Sequence, residues 1–221
     1  MNGDAGRLSE FGKLAGEGIV LCVPFHLLYK GAGGLALGAE DCSVNENGAF
    51  TGEISARMIA ATGAKYCIVG HSERRRNFGE TNEIVAAKAA RCLAADMVPI
   101  ICVGETLAEK EEGRGFEVVE NQVWQSIPNA ADIKGEIIVA YEPVWAIGTG
   151  LIPVADDICK AYSHIWDILA QMGLSETAIL YGGSVNSSNA REILAIPNIG
   201  GVLVGGASLD PKQFKEIINA R

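Results

Sequence analysis

Seven short apolar runs, each separated from the next by longer and more polar sequence, constrain this chain more than any other feature. They lie at 18–24 (GIVLCVP), 35–40 (LALGAE), 65–70 (KYCIVG), 98–103 (VPIICV), 136–141 (EIIVAY), 177–181 (TAILY) and 201–204 (GVLV). Each is almost continuously apolar, as a strand covered on both faces must be. Between them, apolar residues recur at helical spacing over 82–95 and 156–172, and more briefly over 53–62 and 211–220. Asp210 followed by Pro211 reads as a cap and a first helical residue. A short helix is also expected near the start, capped by Asp4, with Leu8, Phe11 and Leu14 on one face. No linker, low-complexity tract or repeat interrupts the pattern. It predicts one α/β domain over residues 1–221, built on a parallel sheet. A doubly wound sheet and a (β/α)8 barrel both fit this alternation. A barrel that starts with a strand typically takes about 250 residues, and this chain has 221.

Charge and cysteine usage narrow the function classes. Lys and Arg number 18 against 27 Asp and Glu, for a formal net charge of −9. An acidic protein is a poor partner for nucleic acid or an anionic membrane. It must also hold any anionic ligand by a local device. There is no apolar run long enough for a membrane span, and residues 1–7 lack the apolar core of a signal peptide. The expected location is therefore cytosolic. None of the six cysteines, Cys22, Cys42, Cys67, Cys92, Cys102 and Cys159, stands in a C-x-x-C pair, and their spacing matches no zinc motif. They read as buried, reduced thiols, with no metal expected.

The chemistry-bearing residues follow the strands, at the edge where parallel α/β proteins bind ligands. After the third run, Gly70-His71-Ser72-Glu73-Arg74-Arg75 places an imidazole at the mouth of the sheet. Ser72 is the expected cap of a following helical turn, whose amides disfavour imidazolium. The alternative is a structural His bonded to backbone. After the fifth run, Glu142 and Pro143 open a loop that continues Val144-Trp145-Ala146-Ile147 and ends Gly148-Thr149-Gly150. A carboxylate under an apolar tip with glycine hinges suits a base beneath a water-excluding lid, though an ordinary loop with a salt-bridged Glu reads the same way. Glycine turns at Gly182-Gly183-Ser184 and Gly205-Gly206 follow the last two runs. Their backbone N–H groups can hold a phosphate without Lys or Arg. The loop at 46–55 carries Phe50 between glycines, either covering its own core or contacting another subunit.

Taken together, AYEPVWAIGTG at 140–150, GHSERR at 70–75, YGGSV at 181–185, GVLVGGASL at 201–209 and ENGAFTGEIS at 46–55 resemble the triosephosphate isomerase family, in order and at family-like spacing. The resemblance implies a (β/α)8 TIM barrel that interconverts dihydroxyacetone phosphate and glyceraldehyde 3-phosphate without metal or organic cofactor. Under it, Glu142 matches the catalytic base and His71 the neutral electrophile. Glu73 matches the acid that pairs with the family's active-site Lys. Gly148, Ser184, Gly205 and Gly206 match the phosphate-holding positions, and residues 143–150 match the lid. The 46–55 loop matches the interdigitating dimer loop, with Thr51 reaching the neighbouring subunit's site, so a homodimer is implied. The resemblance is incomplete: 4–17 and 30–34 are shorter than in the family, Leu151 stands where a Lys often follows the lid, and the largest departure is at the start. The family's first strand, with its Asn and that Lys, precedes a segment like Met1-Asn2-Gly3 and has no counterpart in these 221 residues. A barrel of seven strands with two open edges is expected, and with it weak or absent activity. A non-catalytic phosphate-binding or assembly role on the same barrel is the competing expectation.

Overall fold

The computed structural model describes residue 6 and residues 8–30, 33–147 and 153–221. Its seven strands fall on the seven apolar runs: β1 Val20–Val23, β2 Ala36–Ala39, β3 Tyr66–Val69, β4 Val98–Val103, β5 Ile138–Tyr141, β6 Ala178–Tyr181 and β7 Gly201–Val202. They form one sheet in sequential order, every neighbouring pair parallel. A doubly wound sheet reverses its strand order at a switch point. The uninterrupted order from β1 to β7 is that of a barrel. Among the described residues, β1 and β7 are the ends of this order and no ladder joins them.

The helices are α1 Leu8–Phe11, α2 Ala56–Ala60, α3 Ser72–Phe78, α4 Asn82–Ala94, α5 Leu107–Glu111, α6 Gly115–Ser126, α7 Ala155–Gln171, α8 Ala190–Leu194 and α9 Pro211–Ile218. α7 buries Ile158, Ala161, Tyr162, Ile165, Ile168 and Leu169, the spacing that turns one helical stripe to the sheet. α9 starts as expected, with the Asp210 side chain accepting from the Lys212 N–H and Pro211 in the first turn. Near the start, Leu8 and Phe11 are buried, and Phe11 stacks at a tilt on Phe214 of α9. The proposed cap Asp4 lies outside the described residues. Two expectations need correction. The helix expected from 53 begins only at Ala56, after the Ser55 hydroxyl caps it by accepting from the Met58 N–H. The amphipathic α6 was not expected at all, because its valines at 118, 119 and 123 blur the helical period.

Alternation along the strands sorts the core into two layers. Cys67 and Val69 of β3 face outward, in one cluster with Val85, Ala89 and Cys92 of α4. Ile68 faces inward with Ile100, Cys102 and Ala140, against which Cys22, Tyr66, Ile138, Leu180 and Leu203 pack. Strands near both ends of the order thus contribute to one small inner core. The six cysteines are free thiols as expected, but only Cys42, Cys67, Cys92 and Cys102 are buried; Cys22 and Cys159 are partly exposed. No helix of the described residues is long and apolar enough to cross a membrane.

Candidate active site

β3 ends at Gly70, whose φ of +68° turns the chain sharply. A Cβ there would sit 2.6 Å from a Val85 methyl, so the close approach of α4 also requires glycine. The turn delivers His71, not Ser72, to the cap of α3. The His71 Nδ1 accepts from the Glu73 N–H at 3.2 Å. An accepting Nδ1 carries no proton, so the remaining ring proton of the neutral imidazole is on Nε2. That nitrogen lies 3.2 Å from Oε1 of Glu142. Ser72 takes a different part: its N–H donates to Glu142 Oε2 at 3.2 Å.

Glu142 follows β5 directly and is 2% exposed. Its N–H donates to the Val103 carbonyl at 2.7 Å, which continues the pairing of β5 with β4 one residue past the strand. Two glycines make its seat. A Cβ on Gly104 would come within 1.7 Å of the Glu142 carbonyl oxygen, and one on Gly182 within 2.8 Å of its Cγ. Burial pushes the carboxyl pKa above its ordinary value, against opposition from His71 and the Ser72 N–H. Among the described residues, no Lys or Arg forms an ion pair with this carboxylate.

In the loop expected to form a lid, which begins at Pro143, Val144–Ala146 form a single 3-10 turn. Glu105, just past β4 and 5% exposed, holds this turn from below. Its carboxylate accepts from Trp145 Nε1 at 2.8 Å and from the Tyr141 hydroxyl at 3.2 Å, and its carbonyl accepts from the Val144 N–H at 3.0 Å. The Lys110 ammonium lies 3.7 Å from the centre of the Trp145 ring, close enough for a cation–π contact. Ala146 is fully buried, while Val144, Trp145 and Ile147 are partly exposed. Gly148, Thr149 and Gly150 lie outside the described residues.

The Ser184 hydroxyl donates to the Ala146 carbonyl, tying the first glycine turn to the lid. In the second turn, Gly205 accepts from the Ser208 N–H and hydroxyl. A Cβ on Gly205 or Gly206 would meet open space. Glu73 is exposed in the first turn of α3, and its backbone N–H rather than its carboxylate engages His71. Phe50 and Thr51 are exposed at the tip of a loop closed by the Ser43–Ser55 bridge and the Ser43 N–H to Ile54 carbonyl bond.

Two positioning residues escaped the reading of the sequence. Glu105 lies two residues past the end of β4, and an acidic residue so close to a strand end was the available signal. Arg75 lies within the GHSERR motif. Its guanidinium donates to the carbonyls of Gly70 and Cys102, to Asn82 Oδ1 and to the Ser126 hydroxyl. It thereby stitches the ends of β3 and β4 to α4 and α6.

A buried carboxylate facing an imidazole at the carboxyl end of a parallel barrel, beside an apolar loop and two glycine turns, is the arrangement of an enzyme class that moves protons. Residues 7–221 match the family model described as triosephosphate isomerase. The chain is 45% identical to the triosephosphate isomerase of Rhodopseudomonas palustris (strain BisA53) over 235 aligned positions, covering 98% of this chain and 92% of that one. It is 48% identical to that of Albidiferax ferrireducens, over 90% of this chain and 84% of the relative. The crystal structure of triosephosphate isomerase from Bartonella henselae superposes with a TM-score of 0.89 at 35% identity, covering all of this chain and 94% of that one. The chain belongs to the triosephosphate isomerase family, and it is an isomerase with the TIM-barrel fold.

The seat of Glu142 can be tested through Gly104, which touches no reacting atom. Gly104→Ala must displace the Glu142 backbone, and a misplacement of about 1 Å costs roughly 100-fold in rate. The expected result is a fall of that order in kcat with little change in KM, measured by steady-state kinetics on folded protein.

Proposed function

We propose that this chain interconverts dihydroxyacetone phosphate and D-glyceraldehyde 3-phosphate by proton transfer through an enediolate, in the cytoplasm, as a step of glycolysis and gluconeogenesis. The observation that carries this reading is the 3.2 Å pairing of Glu142 with the Nε2 of a His71 whose other nitrogen accepts from the α3 N-terminus. The proton to be moved is α to a carbonyl, so a carboxylate base and a neutral hydrogen-bond donor suffice for enolisation. Glu142 takes the proton from one carbon and returns it to the adjacent one. His71 donates from Nε2 to the substrate oxygen that gains charge. Both Glu142 oxygens are engaged here, by His71 and by the Ser72 N–H. Substrate must replace those partners, and movement of the lid residues 143–150 directly behind Glu142 accompanies that exchange. Ser184, Gly205, Gly206 and Gly148 hold the phosphate through backbone N–H groups, a device that suits a chain with a net charge of −9. Glu73 plays an outer part, by bearing on a cation rather than on substrate.

Glu142→Gln removes the base. Its kcat is expected to fall by roughly 10²–10⁴, and exchange of solvent deuterium into substrate at the carbon that loses its proton should stop. Phosphate binding that persists in a wild-type chain with no such exchange would instead favour the non-catalytic reading. The same variant has a stability signature. Burial raises the folded pKa of Glu142 above its unfolded value, so the native state binds this proton more tightly. Stability is therefore lost as pH rises through that window, and above it the ionised carboxylate is a standing cost. Glu142→Gln should melt at a higher temperature than wild type at neutral pH, with the difference narrowing as pH falls. For the wild type, the acid limb of kcat/KM should lie above the ordinary carboxylate value of 4.5.

The polypeptide of these 221 residues is proposed to turn over slowly. Among the described residues, no Lys or Arg pairs with Glu142 and no ladder joins β1 to β7. Fusing a family first strand with its Asn and Lys ahead of Met1 should raise kcat by about 10²–10³, the usual worth of one charge-stabilising group. Equal activity in both polypeptides would count against slow turnover.

A homodimer through the loop at 46–55 is also proposed, because Phe50 stands 47% exposed at its tip. Sedimentation at micromolar concentration should find a dimer for the wild type and a monomer for Phe50→Asp. A wild-type monomer would refute the interface.

A further inference from the structure

Three cysteines far apart in sequence meet outside the site described above. Cys42 lies in the segment after β2, Cys67 in the middle of β3, and Cys92 near the end of α4. Their sulfurs all lie within 4.8 Å of one another, and those of Cys42 and Cys92 are 3.6 Å apart. The three residues are at most 1% exposed, in the layer between the sheet and α4. Ordinary core packing has no need to converge three polarisable sulfurs from three elements on one point, since valine or alanine fills the same space. Cys42 also donates to the Lys88 carbonyl.

We propose that Cys42, Cys67 and Cys92 form a three-coordinate thiolate site for a soft, closed-shell monovalent metal ion, copper(I). Three sulfurs with no harder donor is the ligand set that selects soft ions. Among the described residues no His, Asp, Glu or fourth Cys joins the group. Zinc completes a tetrahedron in its structural sites and keeps a water in its catalytic ones. Here a fourth side chain is absent from the group and burial excludes solvent, whereas copper(I) is satisfied by three sulfurs. The exchange balances: each of the three S–H bonds breaks as its sulfur takes up the ion, the three protons go to solvent, and no electron moves.

The test uses the full chain, reduced and anaerobic, refolded from urea with copper(I) buffered by a competing chelator. Wild type should retain about one copper per chain after gel filtration, with an X-ray absorption shell of sulfur alone and a coordination number of three. Its melting temperature should rise with copper. Cys67→Val and Cys92→Ala should each lose the bound ion and the shift in melting, while Cys159→Ala keeps both. Cys67→Val is close to volume-conserving, and Cys92→Ala provides the second reading if it fails to fold. The proposal is overturned if either folded variant retains the copper, or if the shell contains nitrogen or oxygen. It is equally overturned if zinc displaces the ion one for one, or if the reduced wild type takes up no copper and oxidation merely closes a Cys42–Cys92 disulfide.

Discussion

Burial of the Glu142 carboxylate is the constraint around which the carboxyl end of this barrel is arranged. Removing a carboxylate from water is costly unless hydrogen bonds replace its hydration. Here the replacements are two N–H groups from one short segment, the Nε2 of His71 and the backbone of Ser72. Both depend on α3 starting where it does, because His71 is oriented by the N–H of Glu73. That start depends on Gly70, whose positive φ and lack of a side chain allow the chain to turn against α4. Glu142 and His71 are therefore one unit, built across the neighbouring ends of β3, β4 and β5. Arg75 anchors it from behind, and Gly104 and Gly182 make room for it.

The same logic governs the lid. Glu105 is a second buried carboxylate one strand away, and its partners are Trp145, Tyr141 and the Val144 N–H–to–carbonyl bond. It is engaged with the loop, while Glu142 is engaged with His71 and Ser72, just past the end of β3. Two carboxylates just past the ends of adjacent strands thus have different partners: Glu105 holds the root of the loop, and Glu142 holds His71 and the Ser72 N–H.

Much of this was legible in the sequence, for identifiable reasons. Parallel strands covered on both faces must be apolar throughout, so all seven stood out as runs, including the two-residue β7. Long helices with a single buried stripe, such as α7, were equally plain. α6 was hidden because β-branched residues on its buried face imitate a strand. His71 and Glu142 were found because each directly follows a strand and opens a turn. The roles of Ser72 and His71 were exchanged, since a serine is the commoner cap and nothing local reveals that an imidazole nitrogen accepts instead. Arg75 and Glu105 act through partners 27 to 51 and 36 to 40 residues away. Such contacts exist only once the strands are in register.

The cysteines show the limit of spacing as a guide most clearly. Metal motifs are recognised when ligands lie a few residues apart, because a short loop then presents them together whatever the rest of the fold does. Cys42 and Cys92 are separated by 50 residues. They come together only because α4 packs back over β3, the strand next to β2 in a sequentially ordered sheet. In a barrel, each outward-facing strand residue meets the helix that follows it and the loop of its neighbour. Three cysteines at such positions, as Cys42, Cys67 and Cys92 here, converge with no local sequence signature. The fold that aligns Glu142 with His71 on one side of β3 and β5 is thus the same fold that aligns three sulfurs on the outer side of β3. Neither constellation requires the other.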